Sequence, residues 1–236
     1  MRIIEREMGM ANYRSAKDTE AIKRKVLVSA AKLFLTKGYT FSTIKEIAAG
    51  AGVKSGTMVY VFKTKEDILC ELVNFVLDGQ FEVAKQFVSG KTNDKLLYYA
   101  AETTLQLYMA ESSENVRELY SAAYSMPKSS DIIQHHITEK LEDIFKEYLP
   151  DFETKDFFEL EIASGSVIRG FMAKPCDLYF TMDRKVKRYL EITLRIFDIP
   201  KEKIEEAITF VQQFDYPKLA QETINTLLKK LEAMQK

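Results

Sequence analysis

The stretch "TIKEIAAGAGVKSGTMVYVF", residues 43–62, limits what this chain can fold into more than any other part of it. Thr43 followed three residues later by Glu46 is a capping box, which predicts a short helix with Ile44, Ile47 and Ala48 turned inward. Gly50 to Gly52 end that helix. A second short helix is expected over about 55–60, with Val53, Met58 and Phe62 as its apolar contacts. Two short helices joined by a tight glycine-containing turn make a helix-turn-helix. Ala48 is small enough for close helix approach, and Gly52 can take the backbone geometry the turn needs.

Helical patterning continues on both sides of the motif. Ile22, Val26, Ala30, Leu33 and Phe34 recur at helical spacing between residues 19 and 37, and Gly38 stops that helix as a C-terminal cap does. Lys65 opens a long helix through "EDILCELVNFVLDGQFEVAKQFV". Beyond it, breaks at Gly90, Pro127, Pro150, Pro175, Pro200 and Pro217 mark off helices over about 93–110, 114–125, 130–148, 152–173, 184–197, 201–213 and 217–234. Asp151, Pro200 and Pro217 stand where helix starts are expected. The fold class is therefore all-α: an N-terminal three-helix helix-turn-helix domain joined by a long helix to a second, all-helical domain. The expected division is an arm over residues 1–18, the helix-turn-helix domain over 19–64 and the larger helical domain over 65–236.

A net charge of -1 hides an asymmetry. Residues 14–65 hold eleven Lys/Arg against three acids, so the rest of the chain is strongly acidic. A basic segment on an acidic body fits a nucleic-acid footprint carried by a part that does not itself touch nucleic acid. The only two cysteines, Cys70 and Cys176, match no metal or redox spacing and read as reduced packing thiols. His135 and His136 are adjacent, and on a helix neighbours diverge by about 100°, which suits joint metal ligation poorly. No metal or other cofactor is expected. The first twenty residues scatter charges where a signal peptide needs an unbroken apolar run, and no later run approaches a membrane span, so a cytoplasmic location is expected. Neither a phosphate loop, a nucleophile elbow nor an HExxH pattern occurs, which leaves an enzyme reading without support.

A recognition helix enters the major groove by its N-terminal end, so base contacts come from polar or cationic residues near its start. Lys54, Ser55 and Thr57 hold that position. Ser42 and Thr43, at the start of the preceding helix, offer hydroxyls and N–H groups to phosphates, and Lys45, Lys63 and Lys65 add sequence-independent attraction. The segment "RKVLVSAAKLFLTKGYTFSTIKEIAAGAGVKSGTMVYVFKTKEDIL", residues 24–69, resembles the DNA-binding domain of the tetracycline-repressor (TetR) family of bacterial transcriptional regulators. Arg24, Ala30-Ala31, Leu33-Phe34, Gly38, Ser42-Thr43, Ile47-Ala48, Ala51-Gly52-Val53, Gly56, Phe62 and Lys65-Glu66 carry the resemblance. The sequence departs from the family at Val59, usually tyrosine, at Val61, often histidine, and at Lys54, frequently serine. Tyr60, between the two valines, is placed to supply one backbone contact.

The resemblance implies a homodimer bound to a double-stranded DNA operator, an all-helical ligand-binding and dimerisation domain, and release of DNA when a small-molecule inducer binds, with no membrane partner. Within the larger domain, the helix around "FFELEIASGSVIRGFMAK" is apolar on nearly all sides. It is either central to its own domain or covered by a second subunit, together with a later helix such as 184–197. Aromatics are dense between residues 98 and 180, and Tyr98, Tyr120, Tyr124 and Phe171 are the candidate pocket residues, with Glu161 and Arg169 as polar anchors. The competing reading is a helical protein-interaction module whose helix-turn-helix no longer binds DNA. Val59 and Val61 support it and the basic segment argues against it.

Overall fold

The computed structural model describes the backbone of residues 2–235 and the side chains of residues 18–235. Among them the chain forms eleven helices: α1 (Arg2–Lys37), α2 (Ile44–Gly50), α3 (Ser55–Val61), α4 (Lys65–Val88), α5 (Lys95–Glu111), α6 (Glu114–Ser125), α7 (Pro127–Phe145), α8 (Thr154–Ala173), α9 (Met182–Ile196), α10 (Lys201–Val211) and α11 (Tyr216–Ala233). The fold is all-α, a helix-turn-helix domain followed by a helical body. α1 begins at Arg2, so along the backbone the expected arm is continuous with the first helix. The side chains of that arm lie outside the described residues, apart from Asp18.

Local chemistry sets the small N-terminal helices. Thr43 Oγ1 accepts from Glu46 N–H while the Glu46 carboxylate accepts from Thr43 N–H, the expected capping box. At the other end of α2, Val53 N–H donates to Ala48 O and Gly52 N–H to Ala49 O, with Gly52 at φ +66. That double closure is a Schellman motif, and it needs a residue that tolerates the left-handed region. Val26, Ala30, Phe34, Ile47, Ala48, Met58 and Phe62 are buried together beneath the three helices. A second capping box, Thr64 with Asp67, starts α4, the helix that runs on into the body.

In the body the central helix is α5, not α8. α5 packs against every helix from α4 to α11, and nearly its whole surface is buried, including Glu102, Thr103, Thr104 and Gln106. α8 buries Phe157, Glu161, Ser164, Ile168 and Met172 but leaves Ile162, Ala163, Ser166, Arg169 and Gly170 exposed. Its apolar character is therefore only partly answered within one chain. The cap expected at Asp151 is supplied instead by Glu153, whose box partner is Asp156.

α6 joins the two parts. Asn115 Nδ2 donates to Leu35 O at 3.0 Å, and Glu118 Oε1 accepts from Thr40 N–H at 2.9 Å. Gly38 lies between these contacts at φ +87, and a Cβ there would fall 2.4 Å from Glu118 Oε2. α11 holds α1 from another side. Lys32 pairs with Glu232 at 2.7 Å, and Arg24 Nη1 donates to Met234 O at 3.0 Å. Gly38→Ala should thus cost about 1–2 kcal/mol, lowering Tm by roughly 2–8 °C in a thermal melt, because it is strained both by φ and by contact.

Candidate nucleic-acid interface and ligand cavity

The turn between α2 and α3 presents one polar, cationic surface. Lys54 is the N-cap of α3 without a side-chain capping bond, and Lys54, Ser55 and Gly56 are exposed while Thr57 is half-buried. Lys45 and Lys63 are exposed on either side, and among the described residues Lys45, Lys54 and Lys63 form no ion pair. Tyr60 is 79% exposed, at the far end of α3. Thr43 is exposed at the start of α2, although its hydroxyl already donates to Glu46 Oε2 at 2.8 Å. The Glu46 carboxyl is pulled down to about 2, against a lesser opposing effect of desolvation. Bonds from Lys37 and then Thr43 hold its carboxylate ionised.

Three expected DNA contacts belong to the framework instead. Ser42 is buried and its Oγ donates to Gly38 O at 2.6 Å, so that hydroxyl closes the α1–α2 loop. Lys65 Nζ donates to the carbonyls of Tyr39 at 2.6 Å, Ser42 at 3.0 Å and Thr40 at 3.2 Å, and sits 4.3 Å from the Tyr39 ring centroid. Arg24 is engaged with Met234 O and Glu20 at the α1–α11 seam. Sequence reasoning also passed over Phe41, 70% exposed immediately before α2. Its signal was an aromatic residue out of phase with the apolar spacing of α1 and α2.

The body contains a chain of three adjoining cavities. A wholly apolar one of about 90 Å³ lies where α1, α4, α6 and α11 meet, lined by Leu35, Phe75, Val76, Tyr120 and Leu227 among others. It shares Leu72, Val76, Leu119 and Tyr120 with a second, of about 70 Å³, that reaches Gln80, Gln106 and Tyr124. Gln106 and Tyr124 separate this from a third, of about 30 Å³, lined by Phe81, Tyr99, Glu102, Lys140, Glu161 and Tyr189. Of the six pocket candidates, Tyr120, Tyr124 and Glu161 line these cavities. The other three do not. Tyr98 donates to Phe81 O at 2.7 Å, Phe171 packs against Tyr189 and Phe180, and Arg169 is exposed on the outer face of α8.

The innermost cavity is polar in a specific way. Glu102, 1% exposed, accepts from Gln106 Nε2 at 2.7 Å, and Gln106 Oε1 accepts from Tyr124 at 3.2 Å. Gln80 Oε1 accepts from Tyr120 at 3.1 Å, while Gln80 Nε2 is buried and acts on Glu102 without closing a well-formed bond. Glu161, 3% exposed, accepts from Ser164 Oγ at 2.8 Å. Burial pushes the Glu102 carboxyl up to about 7 against the pull of Gln106, Lys140 and Gln80, and pushes Glu161 up to about 8 with only Ser164 opposing it. Burial also raises both thiols, Cys70 and Cys176, which keeps them protonated and unreactive.

These raised values make stability depend on pH with a definite sign. Both carboxyls start from 4.5. From there up to their folded values, the native state holds more protons than the unfolded chain, so this contribution is complete below about 4.5 and fades as pH rises through about 7 and 8. Glu161→Gln should therefore gain on the wild type by roughly 4–8 °C in Tm as pH is raised from about 6 to about 9, read by thermal melts across that range.

Comparison with known proteins agrees with this architecture. Residues 26–72 match the model of the family described as bacterial regulatory proteins, tetR family. Over 131 residues the chain is 28% identical to the HTH-type transcriptional regulator QacR of Staphylococcus aureus, covering 53% of this chain and 70% of that protein. Over 80 residues it is 31% identical to the HTH-type transcriptional repressor KstR2 of Mycobacterium tuberculosis, where the match spans 34% of this chain and only 40% of that protein. Among solved structures, RolR in complex with resorcinol shares the fold at a TM-score of 0.64 and 14% identity, over 84% of this chain and 97% of that one. No helix among the described residues is long and apolar enough to cross a membrane. The helix-turn-helix of this geometry, within residues 26–72, is thus the regulatory domain of the bacterial tetR family, followed by a helical body, and the relatives it resembles are transcriptional regulators.

Proposed function

We propose that the protein is a ligand-responsive repressor of the cytoplasm that binds a palindromic operator as a homodimer and is released by a small-molecule inducer. The reading head is the surface of Lys54, Ser55, Thr57 and Tyr60, supported by Thr43, Lys45 and Lys63 against the phosphates, with Ser42 and Lys65 holding the loop behind it. The N-terminal arm and helix-turn-helix end at residue 64, and the ligand-binding and dimerisation domain begins at residue 65. That a protein of this fold binds resorcinol is in keeping with a small-molecule site in the helical body.

One observation carries the ligand response. α6 bears Tyr120 and Tyr124 on the cavities and, on its first two turns, Asn115 and Glu118 on the Leu35–Thr40 segment that leads into the helix-turn-helix. A molecule that displaces the two tyrosines must shift α6, and a shift of α6 changes how the reading head is held. Two arrangements of α6 would then differ in the spacing of the paired recognition helices, which is the differential interaction that allosteric release requires.

The dimer is proposed on the outer face of α8 with α9. Exposed Ile162 and Ile192 supply apolar area there, and Ala163, Ser166 and Gly170 allow close approach of a second copy. Each subunit then reads one half-site in the major groove, the two separated by about one helical turn or slightly more.

Selection from random duplex DNA, followed by binding titrations, tests the reading. A palindrome should be enriched, and Lys54→Ala combined with Thr57→Ala should weaken its binding by roughly 10²-fold or more, from the loss of base contacts worth about 1–3 kcal/mol each. Removing Lys45 and Lys63 should instead weaken all sequences alike and flatten the salt dependence by about one unit of slope per lost phosphate contact. No enrichment from a folded dimer would favour the interaction module, for which exposed Phe41, Val59 and Tyr60 offer an apolar patch.

A further inference from the structure

Thr104 and Tyr216, only 1% and 3% exposed, carry hydroxyls that close no well-formed hydrogen bond. They act on each other, since Thr104 partly offsets the rise that burial gives the Tyr216 phenol. Two facing hydroxyls bring two protons and can use only one of them between themselves, which leaves a donor to spare. Both residues line a cleft of about 340 Å³ where α5, α9, α10 and the start of α11 meet. The cleft shares no lining residue with the three internal cavities. Thr104 and Tyr108 form one stripe of α5, and Glu102 and Gln106 form another. An offset of two residues turns a helix by about 200°, so the cleft and the innermost cavity lie on opposite sides of α5.

The rest of the lining has two characters. Inside, the Tyr108 and Tyr216 rings stack with centroids 5.1 Å apart, Phe214 lies edge-on to Tyr216, and Val186, Ile208 and Val211 complete an apolar wall. At the rim the lining is charged, with Asp183 and Lys187 exposed one turn apart on α9. Among the described residues neither of these two forms an ion pair. Residues four apart on a helix hold their Cβ atoms about 5–6 Å from one another, close enough to meet an ammonium and a carboxylate borne on a single carbon. Asp183 stands near the stacked rings, because after burial its charge is what most raises the Tyr108 phenol.

We propose that this cleft binds a zwitterionic α-amino acid whose aromatic side chain carries a hydroxyl, L-tyrosine being the simplest example. Asp183 takes the α-ammonium and Lys187 the α-carboxylate, the ring lies along Tyr108 and Tyr216, and the ring hydroxyl accepts the spare proton of the Thr104–Tyr216 pair. An anion or a cation alone would leave one rim charge unmet, and an aliphatic zwitterion would leave the hydroxyl pair as it is. About 340 Å³ is at the small end of the range for small-molecule sites, which suits a single amino acid. The site stands apart from the internal cavities and does not depend on the ligand response proposed for them.

The test is calorimetric titration of the full chain with L-tyrosine, L-phenylalanine, tyramine and 3-(4-hydroxyphenyl)propionate, the last three lacking the hydroxyl, the carboxylate and the ammonium respectively. L-Tyrosine should bind at least about tenfold tighter than any of the three. Asp183→Asn should weaken L-tyrosine by about tenfold or more and leave 3-(4-hydroxyphenyl)propionate unchanged, whereas Lys187→Gln should weaken it as much and leave tyramine unchanged. Thr104→Val combined with Tyr216→Phe should bring L-tyrosine down to the affinity of L-phenylalanine, whose own binding reports that the cleft is intact. Should that double variant fail to fold, the exposed rim variants decide alone. No binding of L-tyrosine up to about 1 mM, equal binding of all four compounds, or L-tyrosine binding that survives Asp183→Asn and Lys187→Gln together overturns the proposal. A preference for L-tyrosine over L-phenylalanine that persists in the folded double variant overturns it as well.

Discussion

The proposed binding and release of an operator pass through the loop between α1 and α2, and that loop is held by hydrogen bonds rather than by bulk. Its carbonyls at Tyr39, Thr40 and Ser42 converge on one ammonium, Lys65 Nζ, at the start of the long helix that enters the body. A cation shared by three carbonyls adds to the one backbone bond that Tyr39 O accepts from Ser42 N–H in this partly buried turn, at some cost in desolvating the ammonium itself. Glu118 takes the Thr40 N–H from the other side. The small domain is thus tied to the body through directional bonds from two different helices, and movement of either helix is felt at the turn.

The body is organised by a different constraint, the burial of polar side chains on α5. A helix enclosed by seven others has no solvated face to which Glu102 or Gln106 can turn. Their hydrogen-bonding needs are met along a line of side chains, Glu102 to Gln106 to Tyr124, that reaches from the innermost cavity to α6. Polar burial of this kind is expensive unless fully satisfied, and the Gln80 amide nitrogen, which acts on Glu102 without closing a well-formed bond, shows that here it is not. The incompleteness lies in the same region as the cavities.

Most of the fold was legible in the sequence, because caps and breakers act locally. Thr43 with Glu46, Gly38, Gly52 and the prolines announce helix ends within a few residues of where they fall. What was not legible depended on rotation about helix axes and on distant partners. Arg169 reads as an anchor among apolar residues, yet its helix turns it outward; Glu102, in "AAETTLQ", stands out in no pattern of the sequence, yet its helix has no surface. Ser42 looks available to phosphate only while its bond to Gly38 O is unseen. Glu161 was readable as an anchor because it lies next to the long apolar run of its helix. Its chemistry came only with the knowledge that the side chain bonded to it is Ser164, in a cavity it shares with Glu102 and Lys140.

The seam between α1 and α11 has a consequence for the order of events as the chain is made. Arg24 and the Met234 carbonyl that it binds are 210 residues apart, so a nascent helix-turn-helix leaves the ribosome long before its far partner exists. The three small helices can bury Phe34, Ile47 and Met58 among themselves at that stage, but the contacts of α1 with Glu232 and Met234 form only when synthesis reaches α11. A nascent chain can thus hold a folded helix-turn-helix whose tilt is not yet fixed, and its final orientation waits on the last helix described.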